Sequence, residues 1–485
     1  MRIAARRLDC LSEGEIRAIV EYALAILERV GLRLENPLMC RHLAEHGAAF
    51  DGQSQVRFPR RLMEQYLASQ RRSADQPRAI INEARITGSV GGYPLRWVDP
   101  RDGQVKAQTL RSVIDLTRLA DALPNIASIG TTGVPSDIPP LLAPLYARLV
   151  GWRHAQRKPS NSYMIWDTRL CPHILELCQL AAECEGQPIN RFLRASNYFV
   201  SPLRYPREEA AQFAWFWQHG QRLTIGNLPT IGGTAPATIA GAVGLGLAES
   251  IAIAFIHHAF HGDRGLHLTT TFAPLDMRSG YMPYGRPEQI LAELAISQIA
   301  EYLGAEDTGS AGRQTGAKGP DVEAGLNKAL SAGVELALLG QVSFSMGKYS
   351  TDEVIDPRLM VIEDEFLDSV RRLARGFEVT GETLPLDVVA QAVPRGQFLD
   401  QEHTVEHWRK EIWMPRLFSG VSFEAWRGSG GQDILEKARQ AALDILGAHH
   451  PRGIKPATQE RLLASIRASA ANLGLDPSAL PDVEA

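Results

Sequence analysis

The stretch L-R-S-V-I-D-L-T-R-L-A-D-A (110–122), followed three residues later by I-A-S-I-G (126–130), decides the fold. Its first part has the apolar rhythm of an amphipathic helix; its second is a short apolar run closed by glycine, as a buried strand is. The same unit recurs along the chain. Helical patterns at 140–153, 171–184, 207–219 and 241–258 lead to apolar runs at 162–166, 192–200, 222–225 and 267–272. A helical pattern at 287–303 leads to a glycine-rich loop, and one at 322–339 leads to 341–346. Helix and strand in alternation imply a parallel sheet with helices outside it. A count of roughly eight favours an α/β fold closed as a (β/α)8 TIM barrel over an open sheet. No G-x-G-x-x-G opens a helix after the first strand, so a dinucleotide-binding fold has no support.

Outward from this core, Ser12 and Glu15 form a capping box. It opens a helix whose apolar positions Ile16, Ile19, Val20, Ala23, Leu24, Ile26 and Leu27 keep the 3.6-residue period, and Gly31 ends it. Short helices at 37–46 and 59–69 complete a helical lead-in, and turn signals within 88–108 read as a hairpin. Beyond residue 356 the patterns are helical again, at 359–376, 386–392, 405–415, 433–446 and 458–473. The expected division is a lead-in (1–88), a barrel core (89–355) and C-terminal helices packed on the barrel (356–485).

Apolar residues make up 45% and charged residues 22% of the 485-residue chain, the balance of a globular protein with a full core. A net charge of −4 without a basic stripe gives no attraction for nucleic acid or an anionic membrane. Five scattered cysteines fit reduced thiols in the cytoplasm better than a disulfide framework. No apolar run follows the basic N-terminus, so no signal peptide is read there. The apolar stretch 235–260 carries Glu249 at its middle and ends at His257, His258 and His261, which points to a buried helix rather than a membrane span.

A barrel places its chemistry at the C-terminal ends of the strands. Those ends offer Tyr163, Trp166 and Asp167; Tyr198 and Phe199; Asp276, Arg278, Tyr281 and Tyr284; the loop around Thr315 and Lys318; and Lys348 with Tyr349. A quaternary ammonium has no N–H to donate, so aromatic faces are what can hold it, at about 0.5–2 kcal/mol each. Against this stands the bland reading that such aromatics are half-buried core residues. Arg278 could grip a carboxylate bidentately and Asp276 face a cation, or the two could simply brace their loop. Lys318 and Asp321 could likewise be a loop ion pair, with Asp321 capping the next helix. Cys171, Cys178 and Cys184 lack any close C-x-x-C pair, so no metal site is expected.

Three motifs together resemble the trimethylamine methyltransferase family: D-M-R-S-G-Y-M-P-Y-G-R-P-E (276–288), G-S-A-G-R-Q-T-G-A-K-G-P-D (309–321) and H-T-V-E-H-W-R-K-E-I-W-M-P-R-L (403–417). The segment from Gly233 to Gly241 adds to the likeness, which runs over nearly the whole chain. The resemblance implies a TIM-barrel enzyme of one-carbon metabolism that moves a methyl group from a methylated amine to a corrinoid. No corrinoid-binding D-x-H-x-x-G is present, so the corrinoid would come on a separate corrinoid-binding protein and no cofactor would be held tightly by this chain. The family's pyrrolysine position falls near Gln314, which makes this a non-pyrrolysine relative. The resemblance casts Gln314, Thr315 and Lys318 as catalytic and Tyr163, Trp166, Tyr198, Phe199, Asp276, Arg278, Tyr281, Tyr284 and Tyr349 as substrate-binding. Gly233, Thr234 and Gly312 would face the corrinoid. A quaternary amine such as a betaine then makes chemical sense, because its nitrogen leaves as a neutral amine. The chain departs from the family pattern at Gly316, Glu323 and Asn327, so a diverged paralogue that only binds an amine or a partner stays open. A TIM-barrel lyase or isomerase also stays open, as does assembly into a homo-oligomer.

Overall fold

The structure, a computed structural model, describes residues 9–70, 83–157, 163–268, 270–307 and 314–483. Eight short parallel strands alternate with helices: β1 (Ile86–Val90), β2 (Ile126–Ile129), β3 (Tyr163–Met164), β4 (Ala195–Tyr198), β5 (Thr224–Gly226), β6 (His267–Leu268), β7 (Glu306–Asp307) and β8 (Val342–Ser345). They pair in two arcs. In one, β1 lies between β8 and β2, with Val342 opposite Ile86 and Ser89 opposite Ser128. In the other, β4 lies between β3 and β5, a parallel bridge joins Asn227 to Thr270, and β6 pairs with β7. A helix follows every strand. Gly186, Gly262, Gly304 and Gly340 end four of these helices in the left-handed conformation that glycine adopts without strain.

Two strands escaped the sequence reading, for physical reasons. β1 precedes the first expected unit and starts inside the expected lead-in, because Gly88 breaks its apolar run. A Cβ at Gly88 would sit 2.0 Å from Met346 Sδ, so β8 and the helix behind β1 press onto a bare backbone there. β7 is an acidic pair with no hydrophobic signal at all. The expected hairpin is narrower than 88–108: Arg96–Val98 pairs antiparallel with Val105–Ala107.

The lead-in is part of the main core. The Glu13–Arg29 helix is opened by the Ser12–Glu15 capping box, and it buries Ile16, Val20, Leu24 and Leu27 in a hydrophobic cluster shared with the Ile239–His261 and Pro456–Asn472 helices. Ile239–His261 is long and apolar enough to cross a membrane, yet 83% of its apolar window is buried inside the protein, so its hydrophobicity is that of a core helix. Glu249 sits in its middle and is fully buried. It accepts from Ser201 Oγ (2.8 Å), the Leu203 amide (2.8 Å) and Asn227 Nδ2 (3.0 Å). Burial raises its pKa while these donors pull it back. A single carboxylate thereby ties this helix to the chain leaving β4 and the residue after β5.

The C-terminal helices Ile434–Ala448 and Pro456–Asn472 close over the outer layer. Gly453, between them, packs so tightly that a Cβ would lie 2.1 Å from the Trp152 carbonyl oxygen, whereas Gly447 faces open space. Gly453→Ala is therefore expected to lower the thermal midpoint, at a cost of about 1–3 kcal/mol for overpacking against backbone. Gly447→Ala, in the last turn of the Ile434–Ala448 helix, should raise stability by at most roughly 0.5–1 kcal/mol. Thermal melts of the two variants check both signs.

Candidate functional site

The turn after β8 holds three of the four non-glycine residues with positive φ among the described residues. Ser350, Thr351 and Asp352 have φ of 53°, 52° and 69°, three consecutive left-handed residues without a glycine among them. Each costs about 1–2 kcal/mol relative to the right-handed region. Neighbouring loops impose the shape: the Ser350 amide donates to Ala317 O (2.8 Å), the Thr351 amide to Thr315 O (3.1 Å), and Thr351 Oγ1 to Met282 O (3.1 Å). The Thr315 loop is itself held by Asn327 Nδ2 on Thr315 Oγ1 (3.1 Å) and by the Gly316 amide on Tyr284 O (2.9 Å).

What this turn presents is the carboxylate of Asp352. Gln314 Nε2 donates to both its oxygens (2.9 and 2.8 Å), and Lys348 Nζ lies 2.8 Å from Oδ1. The Lys348 side chain is 4% exposed and that of Asp352 28%, so the lysine is covered while the carboxylate stays open on one side. Room for Lys348 comes from Gly92, at φ 119°, where a Cβ would stand 2.9 Å from Nζ. Beneath them Glu363 accepts from the Gly347 amide (2.7 Å) and pairs with Lys328, whose Nζ also donates to Ser345 O (3.1 Å). Burial pushes Glu363 up and Lys328 down, and each partner's charge opposes the shift.

Aromatic residues lie near the Asp352 turn. Loss of hydration raises the phenols of Tyr198 and Tyr284, and the negative charge of Asp352 raises both further. Tyr198 covers Gly226, where a Cβ would stand 2.6 Å from its ring. Tyr281 has its hydroxyl 3.4 Å from Ser350 Oγ, and the Lys318 ammonium sits 3.9 Å above its ring centroid. Lys318 Nζ also donates to Ser350 Oγ (3.0 Å). To one side Tyr93 meets Trp166 edge to face at 6.3 Å, and its hydroxyl, pushed up to about 12 by burial, accepts from the Met164 amide. Tyr93, Met164 and Trp166 help line a small recess.

The expected site residues divide. Gln314, Thr315, Lys318, Tyr198, Tyr281 and Tyr284 converge on the Asp352 turn, with Trp166 beside them. Phe199 and Tyr349 do not: Phe199 packs 4.9 Å from Tyr205 in the main core, and Tyr349 is buried with Val98, Val354 and Leu359. Arg278 is turned outward, its side chain 86% exposed and its guanidinium 2.6 Å from Asp276. It braces its own loop and holds the Asp276 carboxyl well below the usual range. Lys318 forms no ion pair with Asp321, which caps the Val322–Leu339 helix. Gly233 and Thr234 are exposed on the turn after β5; Gly312 and the Tyr163 side chain lie outside the described residues. Among the described residues no cluster of three or more His, Cys, Asp or Glu could hold a metal ion. Gly316 has no room for an acid, since a Cβ would approach Pro283 Cβ at 2.9 Å. The carboxylate of the site is Asp352, which the sequence hid inside S-T-D-E (350–353), a stretch that reads as an ordinary polar turn.

Asp352→Asn keeps the shape and tolerates a left-handed φ, but leaves Lys348 covered and unpaired. The expected loss is about 1–3 kcal/mol, below the full cost of breaking a buried pair because Asp352 is partly open. Adding Lys348→Met should recover part of it, read as a non-additive shift in thermal midpoint.

Comparison with known proteins gives the chain its family. The family model described as trimethylamine methyltransferase (MTTB) matches residues 1–474. Among curated proteins, the chain is 24% identical to a glycine betaine methyltransferase of Desulfitobacterium hafniense (strain Y51), over 95% of this chain and 97% of that protein. It is 23% identical to the trimethylamine methyltransferase MttB of another strain of that species (DSM 10664 / DCB-2), over 96% and 94%. Among solved structures, the monomethylamine methyltransferase MtmB of Methanosarcina barkeri aligns over 90% of this chain and 93% of that one, with a TM-score of 0.47 and 13% identity. With a family model covering nearly its full length, the chain belongs to the trimethylamine methyltransferase family.

Proposed function

We propose that this protein is a methyltransferase that takes a methyl group from a quaternary methylated amine, a betaine, and delivers it to the reduced corrinoid of a separate protein. The observation that carries this reading is a partly open carboxylate, Asp352, whose charge reaches the phenols of Tyr198 and Tyr284 and whose turn is touched by Tyr281 at Ser350. A cation without N–H groups is held by charge and aromatic faces, and both converge here. The other pole of a betaine is a carboxylate, for which Lys318 supplies a cation beside the same turn; Lys348 is covered and paired with Asp352, and Arg278 points away.

In this reading the two arcs of strands are halves of one (β/α)8 barrel spanning about 89–355, with 1–88 leading in and 356–485 packed outside. The mouth is the end where the loops after β4, β5, β6, β7 and β8 meet. The exposed turn Gly233–Thr234, together with Trp166 and Tyr198, supplies small and flat groups that suit the face of a planar macrocycle. The corrinoid is the methyl acceptor and arrives on its own protein, so this chain's work is to position and to desolvate. Asp352 and the tyrosines hold the trimethylammonium with one N–CH3 bond directed at the rim. That bond breaks, its electron pair stays on nitrogen, the methyl carbon bonds to the acceptor, and a neutral tertiary amine leaves. No proton moves, so no general acid is required. The setting is cytoplasmic one-carbon metabolism.

A second reading rests on one atom. Gln314 Oε1 is buried with no hydrogen-bond partner among the described residues. A protonated tertiary amine has one N–H to offer it, which makes trimethylamine the alternative substrate.

Methyl transfer to chemically reduced cobalamin separates these readings. Glycine betaine, proline betaine or carnitine should be demethylated, and Asp352→Asn should lower kcat/KM by about 2–4 kcal/mol of transition-state stabilisation, the scale of one lost electrostatic contact in a closed site. Arg278→Ala should leave it unchanged. Turnover of trimethylamine alone would favour the second reading. No turnover and no binding of any of the four would leave a non-catalytic paralogue.

A further inference from the structure

A cation already occupies one of the aromatic faces at this site. The Lys318 ammonium stands 3.9 Å above the centroid of the Tyr281 ring, well inside the distance at which a cation and a ring attract. It also donates to Ser350 Oγ (3.0 Å). Ser350 Oγ itself donates to Glu353 Oε2 (2.6 Å), which leaves its lone pairs to Lys318 and to the Tyr281 hydroxyl 3.4 Å away. Ring and ammonium are thus tethered to one neutral oxygen of the Asp352 turn.

The contact is one that a ligand can displace. Lys348, by contrast, is covered and lies 2.8 Å from the Asp352 carboxylate. Lys318 is exposed, and among the described residues no carboxylate lies at ion-pair distance from it. Its backbone is pinned on both sides, because the Gly316 amide donates to Tyr284 O (2.9 Å) and Ala317 O accepts from the Ser350 amide (2.8 Å). The loop therefore stays in place while the flexible four-carbon stem lets the ammonium swing away.

A ring face holds one cation at a time. A trimethylammonium group that takes the Tyr281 face must evict Lys318, and two positive charges left side by side repel. The outcome depends on where the evicted ammonium goes. A betaine brings a carboxylate that can receive it; choline or trimethylammonium brings nothing.

We propose, on the betaine reading above, that Lys318 is the specificity-determining residue of the site. In the empty protein it holds the substrate's place on Tyr281, and it yields that place only to a zwitterion whose carboxylate it then binds. Amines without an anionic group are rejected by the charge they strand, so discrimination comes from repulsion as well as attraction.

Glycine betaine and choline share the trimethylammonium head and differ in the tail. Titration calorimetry of both against the parent, Lys318→Met, and Lys318→Met combined with Tyr281→Leu tests the proposal. The parent should bind betaine at least about tenfold more tightly than choline. Lys318→Met keeps the stem and removes the charge. It should bind betaine more weakly than the parent, and choline about two- to thirtyfold more tightly, the span of one cation–aromatic contact. The choline gain should vanish in the double variant, where the freed face no longer exists. Unchanged choline binding in Lys318→Met overturns the proposal. So does a gain that survives the loss of the Tyr281 ring, since Lys318 would then act only as a remote charge, and so does a parent that binds both ligands equally. Each of these results leaves betaine binding itself standing. Failure of all three proteins to bind either ligand would instead remove the betaine reading and this proposal together.

Discussion

Everything at this site depends on a turn that would not hold its shape alone. Ser350, Thr351 and Asp352 stand in a left-handed conformation that non-glycine residues avoid, and two loops from different parts of the chain keep them there. The amide and hydroxyl groups of the turn are donated to Thr315, Ala317 and Met282, so the segment after β8 can form only when the loops after β6 and β7 are in place. The benefit is position. Asp352 is delivered to the open side of the turn with both oxygens oriented by Gln314 and one by Lys348. Charge fixed before a ligand arrives costs no reorganisation when it does.

Further in, the protein uses buried charge to fix loops. Glu249 holds the chain after β4 to the core helix, and Glu363 with Lys328 holds the Gly347 turn beneath Lys348. Replacing such groups with well-packed apolar ones is often neutral for stability. Their presence close to strand ends fits a role in orientation, where a hydrogen-bonded carboxylate specifies one loop geometry and a methyl group would permit several.

The fold was legible because alternation of helix and apolar strand is a property of the chain itself, and it survived in six of the eight strands. β1 and β7 were not legible as strands, since Gly88 answers to Met346 across the sheet and Glu306–Asp307 carries no apolar signal. The site was legible only where motifs pointed to it: Gln314, Thr315, Lys318 and three tyrosines come together, as their positions at strand ends led one to expect. Arg278, Phe199 and Tyr349 went elsewhere because side-chain direction is decided by tertiary packing. Two of them found core partners and one found an aspartate two residues away. Asp352 was invisible for the same reason, since its importance comes from φ angles and neighbours that no local pattern encodes.

On the proposed function, the mouth recognises positive charge on nitrogen through Asp352 and the nearby tyrosines. Glycine betaine and its carbon isostere 3,3-dimethylbutanoate share size, shape and carboxylate and differ only in that charge. Titration calorimetry of the parent protein with both should show betaine binding at least about tenfold more tightly, a difference of about 1.4 kcal/mol, within the range of one desolvated cation–aromatic contact. Equal binding of the two would contradict the account, because the cavity would then be reading shape and carboxylate alone.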